Sequence, residues 1–389
     1  MTARAPHWLA QIDRDAIPVR RGMPERAEVV VVGGGVMGVA TAYWLARFGR
    51  DVVLLEARRL GSGASTRSAG LVLGRSSGLE DLSILRTLVA DEEIDAQYQE
   101  PGHLALASSE RVLERIREEI RRRPPSASPL CLLDHDGCEE LLGMRINAGY
   151  LGGRWLPYAG VVHPARLLYG LARAAIRRGA LIAQQAPVTR LTVNPNGDGA
   201  IVDTPSARIR ARRVVLACGI GTRRLWRGLR NVLTAARGQM LATAPMRPLF
   251  RVGLAVDWGT AYWRQADDGA VILGGCRGPD DVSEASARPM LNEAIQSRLT
   301  SFLPRTFPDF PPVTVARRWA GIMDETPDGR PLAGACTPAG DLWLLAGFGG
   351  HGLPPALGVA HALVQEMIYE QRVPELEPFD PLRFPEVAR

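Results

Sequence analysis

The chain has 389 residues, 46% apolar and 23% charged, with a formal net charge of +6. That is two or three domains' worth of sequence with the apolar content of a globular protein and a sizeable core, and no stretch approaches the roughly 18 apolar residues of a membrane span. All 47 basic side chains are arginines, which excludes any mechanism that needs a lysine amine, because arginine does not give up its proton in a protein.

Taken in chain order, residues 1–26 carry charges and prolines but no apolar signal segment, so a cytoplasmic protein is expected, with these residues as an arm that packs on the body or frays. The valine run 29–32 reads as a buried parallel strand. Gly33, Gly35 and Gly38 follow it at G-x-G-x-x-G spacing, then a helix over 39–48 and a strand over 52–55. That strand ends at Glu56, eighteen residues past Gly38. Strand, glycine turn, helix and acid together make a dinucleotide-binding βαβ unit, against the alternative of a glycine-rich turn in an ordinary α/β protein. Gly33 allows the tight turn, Gly35 lets the backbone approach a pyrophosphate, and Gly38 lets the helix press on the strand. The helix start offers free N–H groups to phosphate, and Glu56 can accept hydrogen bonds from a ribose.

Next comes a loop of small and hydroxylic residues, 61–70, which allows close approach to a ligand. The pattern then predicts a strand over 102–108, a polar helix over 110–122, a break over 124–129 and an amphipathic helix over 164–178. In the stretch 111–123 arginines alternate with glutamates at helical spacing, so a solvated helix face is expected rather than a nucleic-acid patch. Short strands are expected over 181–183 and 189–193, a turn over 194–199, and a buried strand over 214–219 that ends in glycine. From about 237 to 319 the texture changes to short alternating segments. Segments 261–265 and 271–274 read as antiparallel strands joined by a turn at Asp267, Asp268 and Gly269. A helix is expected over 291–302. A buried strand over 342–346, a second G-x-G-x-x-G over 347–352 and a helix over about 354–370 close the pattern. Too little chain remains after that helix for a second nucleotide domain. The segment is therefore expected to return to the first domain and aim a second helix start at the same ligand.

The five cysteines, Cys131, Cys138, Cys218, Cys276 and Cys336, form an odd, scattered set that argues for reduced thiols. Cys131, His135 and Cys138 lie close in sequence, but no second ligand pair has zinc-site spacing, so no metal is expected. No basic motif interleaved with aromatics points to nucleic acid.

In this order the pieces resemble the D-amino-acid oxidase superfamily of flavoproteins, which includes glycine oxidase, sarcosine oxidase, dimethylglycine-type dehydrogenases, dye-linked proline dehydrogenase β subunits and γ-glutamylputrescine oxidase. The resemblance covers about residues 28–368 and rests on the Gly33–Gly38 fingerprint with Glu56 and on the segments 63–70, 214–219, 237–240, 319–321, 326–331 and 347–353. The fingerprint alone does not separate FAD from NAD; the ensemble is specific for FAD. The fold implied is α/β with an α+β second domain: a Rossmann-like FAD-binding domain interleaved with a mostly antiparallel substrate domain. The expected boundaries are an arm over 1–26, FAD-binding segments over 27–92, 150–230 and 322–372, substrate segments over 93–149 and 231–321, and a C-terminal tail over 373–389.

Carried over position by position, the resemblance implies that Gly33, Gly35, Val36, Met37 and Gly38 hold the pyrophosphate, and that Glu56, Ala57 and Arg58 hold the adenosine end. Ser65, Thr66, Arg67, Ala69 and Gly70 would border the ribityl chain and ring, and Val188 would pair its backbone with adenine. Ala217, Gly219 and Gly321 would complete the cofactor wall, while Gly349, Gly350, His351, Gly352 and Leu353 would meet the flavin edge, where a helix dipole stabilises the negative charge of reduced flavin. The family oxidises a C–H next to an amine nitrogen by hydride transfer to flavin N5, and the imine hydrolyses.

Departures from the family pattern matter. Met323 stands where glycine and D-amino-acid oxidases place a carboxylate-gripping arginine, and Pro354 where sarcosine oxidase has a lysine. Arg264 is the substitute candidate for the acid group, against a structural salt bridge; Tyr262 is a candidate beside the substrate, against cross-strand packing. His351 is the nearest replacement for a positive charge at the flavin, against a structural role in its turn. Gly321 and Arg67 occupy the positions where relatives attach flavin through cysteine or histidine, so non-covalent FAD is expected. Partners are expected to be a small-molecule amine, O2 or another electron acceptor, and an oligomeric or heteromeric partner. A flavin-binding subunit without turnover of its own, and an NAD-dependent dehydrogenase, remain as alternatives.

Overall fold

The computed structural model describes residues 5–19, 22–74, 79, 82–123, 129–194, 196–278 and 280–388; most of the predicted break at 124–129 lies outside them. The valine run forms the strand Arg26–Val32 at the centre of the first sheet. Arg208–Leu216 and Val52–Leu55 pair with it in parallel on either side. Leu181–Ala183 and Leu342–Ala346 extend those flanks in parallel, and Leu332–Ala335 closes one edge antiparallel. The predicted strand at 214–219 is the C-terminal end of Arg208–Leu216, whose first half also pairs antiparallel with Ala200–Asp203. Its apolar end lies in the parallel centre, while the half with alternating burial takes the antiparallel hairpin.

Both faces of this sheet are covered, as continuous apolar strands demand. Val29, Val31 and Leu54 pack with helices Val36–Arg47, Pro164–Arg177 and Ala356–Tyr369. Val30, Val32 and Leu55 pack with Leu229, Leu233 and Val387 on the other face. The first helix begins at Val36, ahead of the predicted residue 39, because Gly35 already serves as its N-cap.

The second sheet has eight strands in the order Val315–Glu325, Thr234–Thr243, Val271–Gly275, Ala261–Gln265, Gly253–Val256, His103–Ala107, Gly152–Leu156 and Cys131–Asp134. Its pairs are antiparallel except for Gly253–Val256 with His103–Ala107. One face packs on the helix Glu293–Thr306 through Trp263, Leu273, Ile295 and Leu299. That helix starts after Asn292, whose side chain accepts the N–H groups of Ala294 and Ile295, and runs through Pro304 beyond the predicted end at 302. The boundary expected at 150 needs correction: Gly152–Leu156 belongs to the second sheet. Gly152 and Gly153 are buried there in close contact with their neighbours, and a methyl group on Gly152 would run into the carbonyl oxygen of Leu133. Val315–Glu325 likewise stays in the second sheet past the expected boundary at 321. Among the described residues no helix is long and apolar enough to cross a membrane.

Candidate functional site: a dinucleotide cleft between two glycine turns

The helix Val36–Arg47 starts at the C-terminal end of the central strand. Gly35 gives it no side-chain cap, and no acid lies in its first turn. Such an end carries unsatisfied N–H groups and partial positive charge. Gly33 has φ +118°, and a methyl group there would run into the carbonyl oxygen of Ala217. A methyl group on Gly38 would strike the carbonyl of Gly33, so close helix–strand contact requires that glycine. At Gly35 the nearest atom to such a methyl is Ser65 Oγ at 3.2 Å, and otherwise the approach is open. The Val36 N–H donates to that same hydroxyl at 3.0 Å, which joins the 61–70 loop to the helix start.

Glu56 faces the same turn. Its Oε2 accepts the Gly34 N–H at 2.7 Å and its Oε1 the Arg58 N–H at 2.8 Å. Each oxygen keeps capacity for a further donor, such as a ribose hydroxyl. Ala57 lies between them in the chain, and the Glu56 carbonyl accepts the Ala186 N–H at 2.9 Å, which brings half-buried Val188 near this end.

In the loop, Thr66 is buried and donates to the Gly61 carbonyl at 2.6 Å, and Gly70 has φ +75° close under the Val162 carbonyl. Arg67 donates to the Ala320 carbonyl at 2.8 Å, and the Trp319 indole donates to the Arg67 carbonyl at 3.0 Å. The loop thus bridges the first helix and the strand Val315–Glu325.

The second glycine turn follows Leu342–Ala346, with φ +76°, +55° and +83° at Gly347, Gly349 and Gly350. Asp324 holds it twice: its Oδ2 accepts the Gly347 N–H at 2.6 Å and its carbonyl the Gly349 N–H at 2.8 Å. A methyl group on Gly219 would lie 3.6 Å from the other Asp324 oxygen. One on Gly350 would come within 2.6 Å of Met323 Sδ, one on Gly352 within 3.5 Å of Met37 Cε, and one on Gly321 within 3.2 Å of Arg67 Cβ. Gly33, Met37, Ser65, Arg67, Gly321, Met323, Asp324, Gly352 and Gly219 therefore form a ring of close approaches between the two glycine turns, the 61–70 loop and the second sheet. Leu353 anchors the far side of the turn in the first core. The helix after it starts at Ala356 rather than 354, since the consecutive prolines Pro354 and Pro355 precede its first regular turn.

Burial pushes the Asp324 carboxyl above the ordinary carboxylate range, against the pull of the Gly347 N–H. Burial also pushes the Cys218 thiol up to about 12, with Glu56 and Asp324 adding negative charge beside it, so it stays protonated and unreactive.

The four substrate-side candidates separate. Met323 is part of the ring, while His351 keeps to its own turn: its N–H donates to the Phe348 carbonyl at 2.8 Å, and its exposed ring places Nδ1 2.9 Å from the Gly349 carbonyl. Tyr262 lies half-buried on the same side of the second sheet as Met240 and Trp319, with its hydroxyl 3.4 Å from Met240 Sδ; burial raises its phenol to about 12. Arg264 is corrected. It is 2% exposed, and its guanidinium donates to the carbonyls of Ala69 at 3.0 Å and Val162 at 3.1 Å and stacks on Trp8 at 4.8 Å. Through Nε, Nη2 and the ring contact it ties loop, helix entry and arm together. It is not the salt bridge weighed in the sequence either, because its partners are carbonyls.

Three features escape the sequence patterns. Asp324 lies between the segments 319–321 and 326–331 that carry the resemblance and in neither of them. Arg237 and Gln239 reach a buried acid, Glu284, at 2.6 Å and 3.0 Å, an ion pair whose partners lie 47 residues apart. Arg277 acts electrostatically on the Tyr262 phenol and makes a long contact of 3.8 Å with Glu325.

A chain with a mostly parallel nucleotide sheet beside a mostly antiparallel one, and two glycine turns brought together between them, has the features of a dinucleotide-dependent redox protein. The chain belongs to the FAD-dependent oxidoreductase family, whose model matches residues 28–366. An opine oxidase subunit of Agrobacterium tumefaciens is 28% identical over 380 residues, covering 92% of this chain and 97% of the relative. Mitochondrial dimethylglycine dehydrogenase of Rattus norvegicus is 26% identical over 392 residues, covering 92% of this chain; the chain spans 45% of that relative's length. The fold matches L-proline dehydrogenase of P. horikoshii with a TM-score of 0.83 at 21% identity, over 93% of this chain and 99% of the other. The cofactor is FAD, and the residues fit it: an uncapped helix start, glycines whose Cβ would fill the cradle, and an acid with free acceptor capacity at the ribose end.

Proposed function

We propose that this FAD-dependent oxidoreductase oxidises a C–N bond of an amine or amino-acid-like small molecule. The observation that carries the reading is that two residues of the second sheet meet the nucleotide side, Met323 at Gly350 of the second glycine turn and Gly321 at Arg67 of the loop whose Ser65 holds the first helix start. Bound FAD supplies a two-electron acceptor for hydride from the carbon beside the nitrogen, after which the imine hydrolyses in water to a carbonyl compound and an amine. The protein's share is to bind, orient and desolvate. The second glycine turn, held by Asp324, would lie along the flavin edge of bound FAD. Tyr262 and Met240 supply an apolar wall with one phenol donor, protonated throughout the physiological range.

The relative named for dimethylglycine takes an N-substituted amino acid, which favours a secondary or tertiary amine here. With Arg264 bonded to two carbonyls, we take Arg277, whose charge is felt at the Tyr262 phenol, as the candidate for a substrate carboxylate. The flavin is held without a covalent bond, because Gly321 offers no nucleophile and Arg67 is bonded to Ala320. The relative from Agrobacterium tumefaciens is by name one part of a larger oxidase, which supports a second reading in which turnover needs a partner chain.

Anaerobic addition of an amine and amino-acid panel to the flavoprotein tests this. Bleaching by at least one N-alkyl amino acid is expected. No bleaching by any amine, alone or with a partner chain, would overturn it. Repeating the productive reaction in air and measuring peroxide assigns the acceptor.

A further inference from the structure

The family model begins at residue 28, yet the chain ahead of it is fastened along one side of the cofactor cleft. Trp8 is fully buried, and its indole donates to the Ser68 carbonyl at 2.8 Å. Arg14 Nη2 reaches Ser62 Oγ at 3.2 Å, and Asp15 pairs with Arg59 at 2.9 Å. Ile17 is linked to Leu60 through one side chain: Gln184 donates to the Ile17 carbonyl at 2.6 Å and accepts the Leu60 N–H at 2.8 Å. The arm thus runs antiparallel along the 60–68 loop, the loop whose Ser65 touches the start of the first helix. Arg264 and His163 grip the Trp8 ring, with centroid distances of 4.8 Å and 4.9 Å.

Charge concentrates where arm and loop meet. Arg14 and Arg58 both donate to Ser62, the second to its carbonyl at 3.3 Å. Arg67 follows a few residues on, and among the described residues none of the three has an ion-pair partner. The nearby acids point elsewhere: Asp15 pairs with Arg59, Asp13 accepts the Asp15 N–H at 2.8 Å, and Glu56 takes the N–H groups of Gly34 and Arg58, with its remaining acceptor capacity turned to the ribose end. Arg14 Nε is buried without an acceptor. Burial and its two guanidinium neighbours draw Arg67 below its ordinary range. Like charges that converge and lose water without a counter-anion are costly. A doubly negative diphosphate removes that cost and takes guanidinium donors well.

We propose that the N-terminal arm is a wall of the cofactor site, and that Arg14, with Arg58 and Arg67, forms an anion site for the diphosphate of the dinucleotide. Arg14 is then a binding residue supplied from outside the nucleotide fold, and Trp8 is the peg that keeps it in place. Glycine spacing cannot reveal such a residue, because it reaches the cleft from ahead of the first strand.

The test uses FAD, ADP and adenosine titrated into the flavin-free protein, with dissociation constants read by fluorescence and calorimetry. Arg14→Gln should weaken FAD and ADP about tenfold, the loss of one charge-assisted contact, and leave adenosine unchanged. Arg14→Lys should recover part of the loss, and added salt should narrow the gap between variant and parent. Trp8→Ala should weaken FAD by at least as much. Unchanged FAD and ADP affinity in Arg14→Gln overturns the assignment, as does an equal loss for adenosine. So does a higher KM for a carboxylated amine at unchanged FAD affinity, which would make the cluster a substrate site. Amine oxidation is read by bleaching and stands or falls separately.

Discussion

The carboxylate of Asp324 on the second sheet accepts the backbone N–H of Gly347 on the first at 2.6 Å, and the Asp324 carbonyl takes Gly349. One residue therefore sets where the second glycine turn stands relative to the sheet that faces it. Asp324→Ala should raise the FAD dissociation constant about tenfold to hundredfold, the range for one hydrogen bond to a charged group. Asp324→Asn keeps an acceptor and relieves the buried charge, so it should bind FAD nearly as the parent does. Flavin fluorescence titration of both variants checks this.

Arg264→Met should lower stability by about 2–4 kcal/mol, because it orphans two carbonyls and empties the space over Trp8. KM for the amine should stay within about twofold of the parent, the margin of an effect that does not reach substrate. Thermal unfolding and steady-state kinetics separate the two effects; a large rise in KM at unchanged melting temperature would restore Arg264 to the substrate site.

Arg277→Ala should do the reverse. Its contact with Glu325 is long and both side chains are about 40% exposed, so little stability is lost. KM for a carboxylated amine should rise about tenfold or more, while an uncharged amine is unaffected. Comparing the two substrates on one variant is the measurement.

Stability should fall as acid is added below about pH 6.5. Burial lowers His103 to about 3 and His163 to about 4. Both groups take up protons more readily in the unfolded chain than in the folded one. Their contribution is present above the unfolded value of 6.5 and is lost as pH drops toward the folded values. Neither ring nitrogen of His103 has a partner, so His103→Leu should flatten the pH–stability curve between 6 and 4. Urea unfolding at several pH values reads the slope.

Much of the architecture was written in local patterns. A run of valines, three spaced glycines and an acid define the central strand, turn, helix and second strand with little error, because each feature serves a backbone requirement that holds wherever the unit occurs. The second glycine turn was legible for the same reason. The interior of the second sheet was not. Whether Gly152–Leu156 pairs with one sheet or the other depends on which edge has unpaired hydrogen bonds, and that is decided by distant strands. Arg264 stayed open between a substrate and a structural role because an arginine after Tyr262 and Trp263 looks the same whether it faces substrate or two carbonyls. Arg237 gives no local sign of Glu284, its partner across the fold.

The strand Leu342–Ala346 lies beside Arg208–Leu216 in the sheet and carries the turn that completes the cleft. A ribosome makes it roughly 300 residues after the first glycine turn. A nascent chain can form the opening βαβ unit early, but it holds only one side of the cofactor's seat until nearly all of it has emerged. Capture of flavin is therefore a late event in the life of each molecule, and vitamin supply should govern how many finished chains survive rather than how fast they begin to fold.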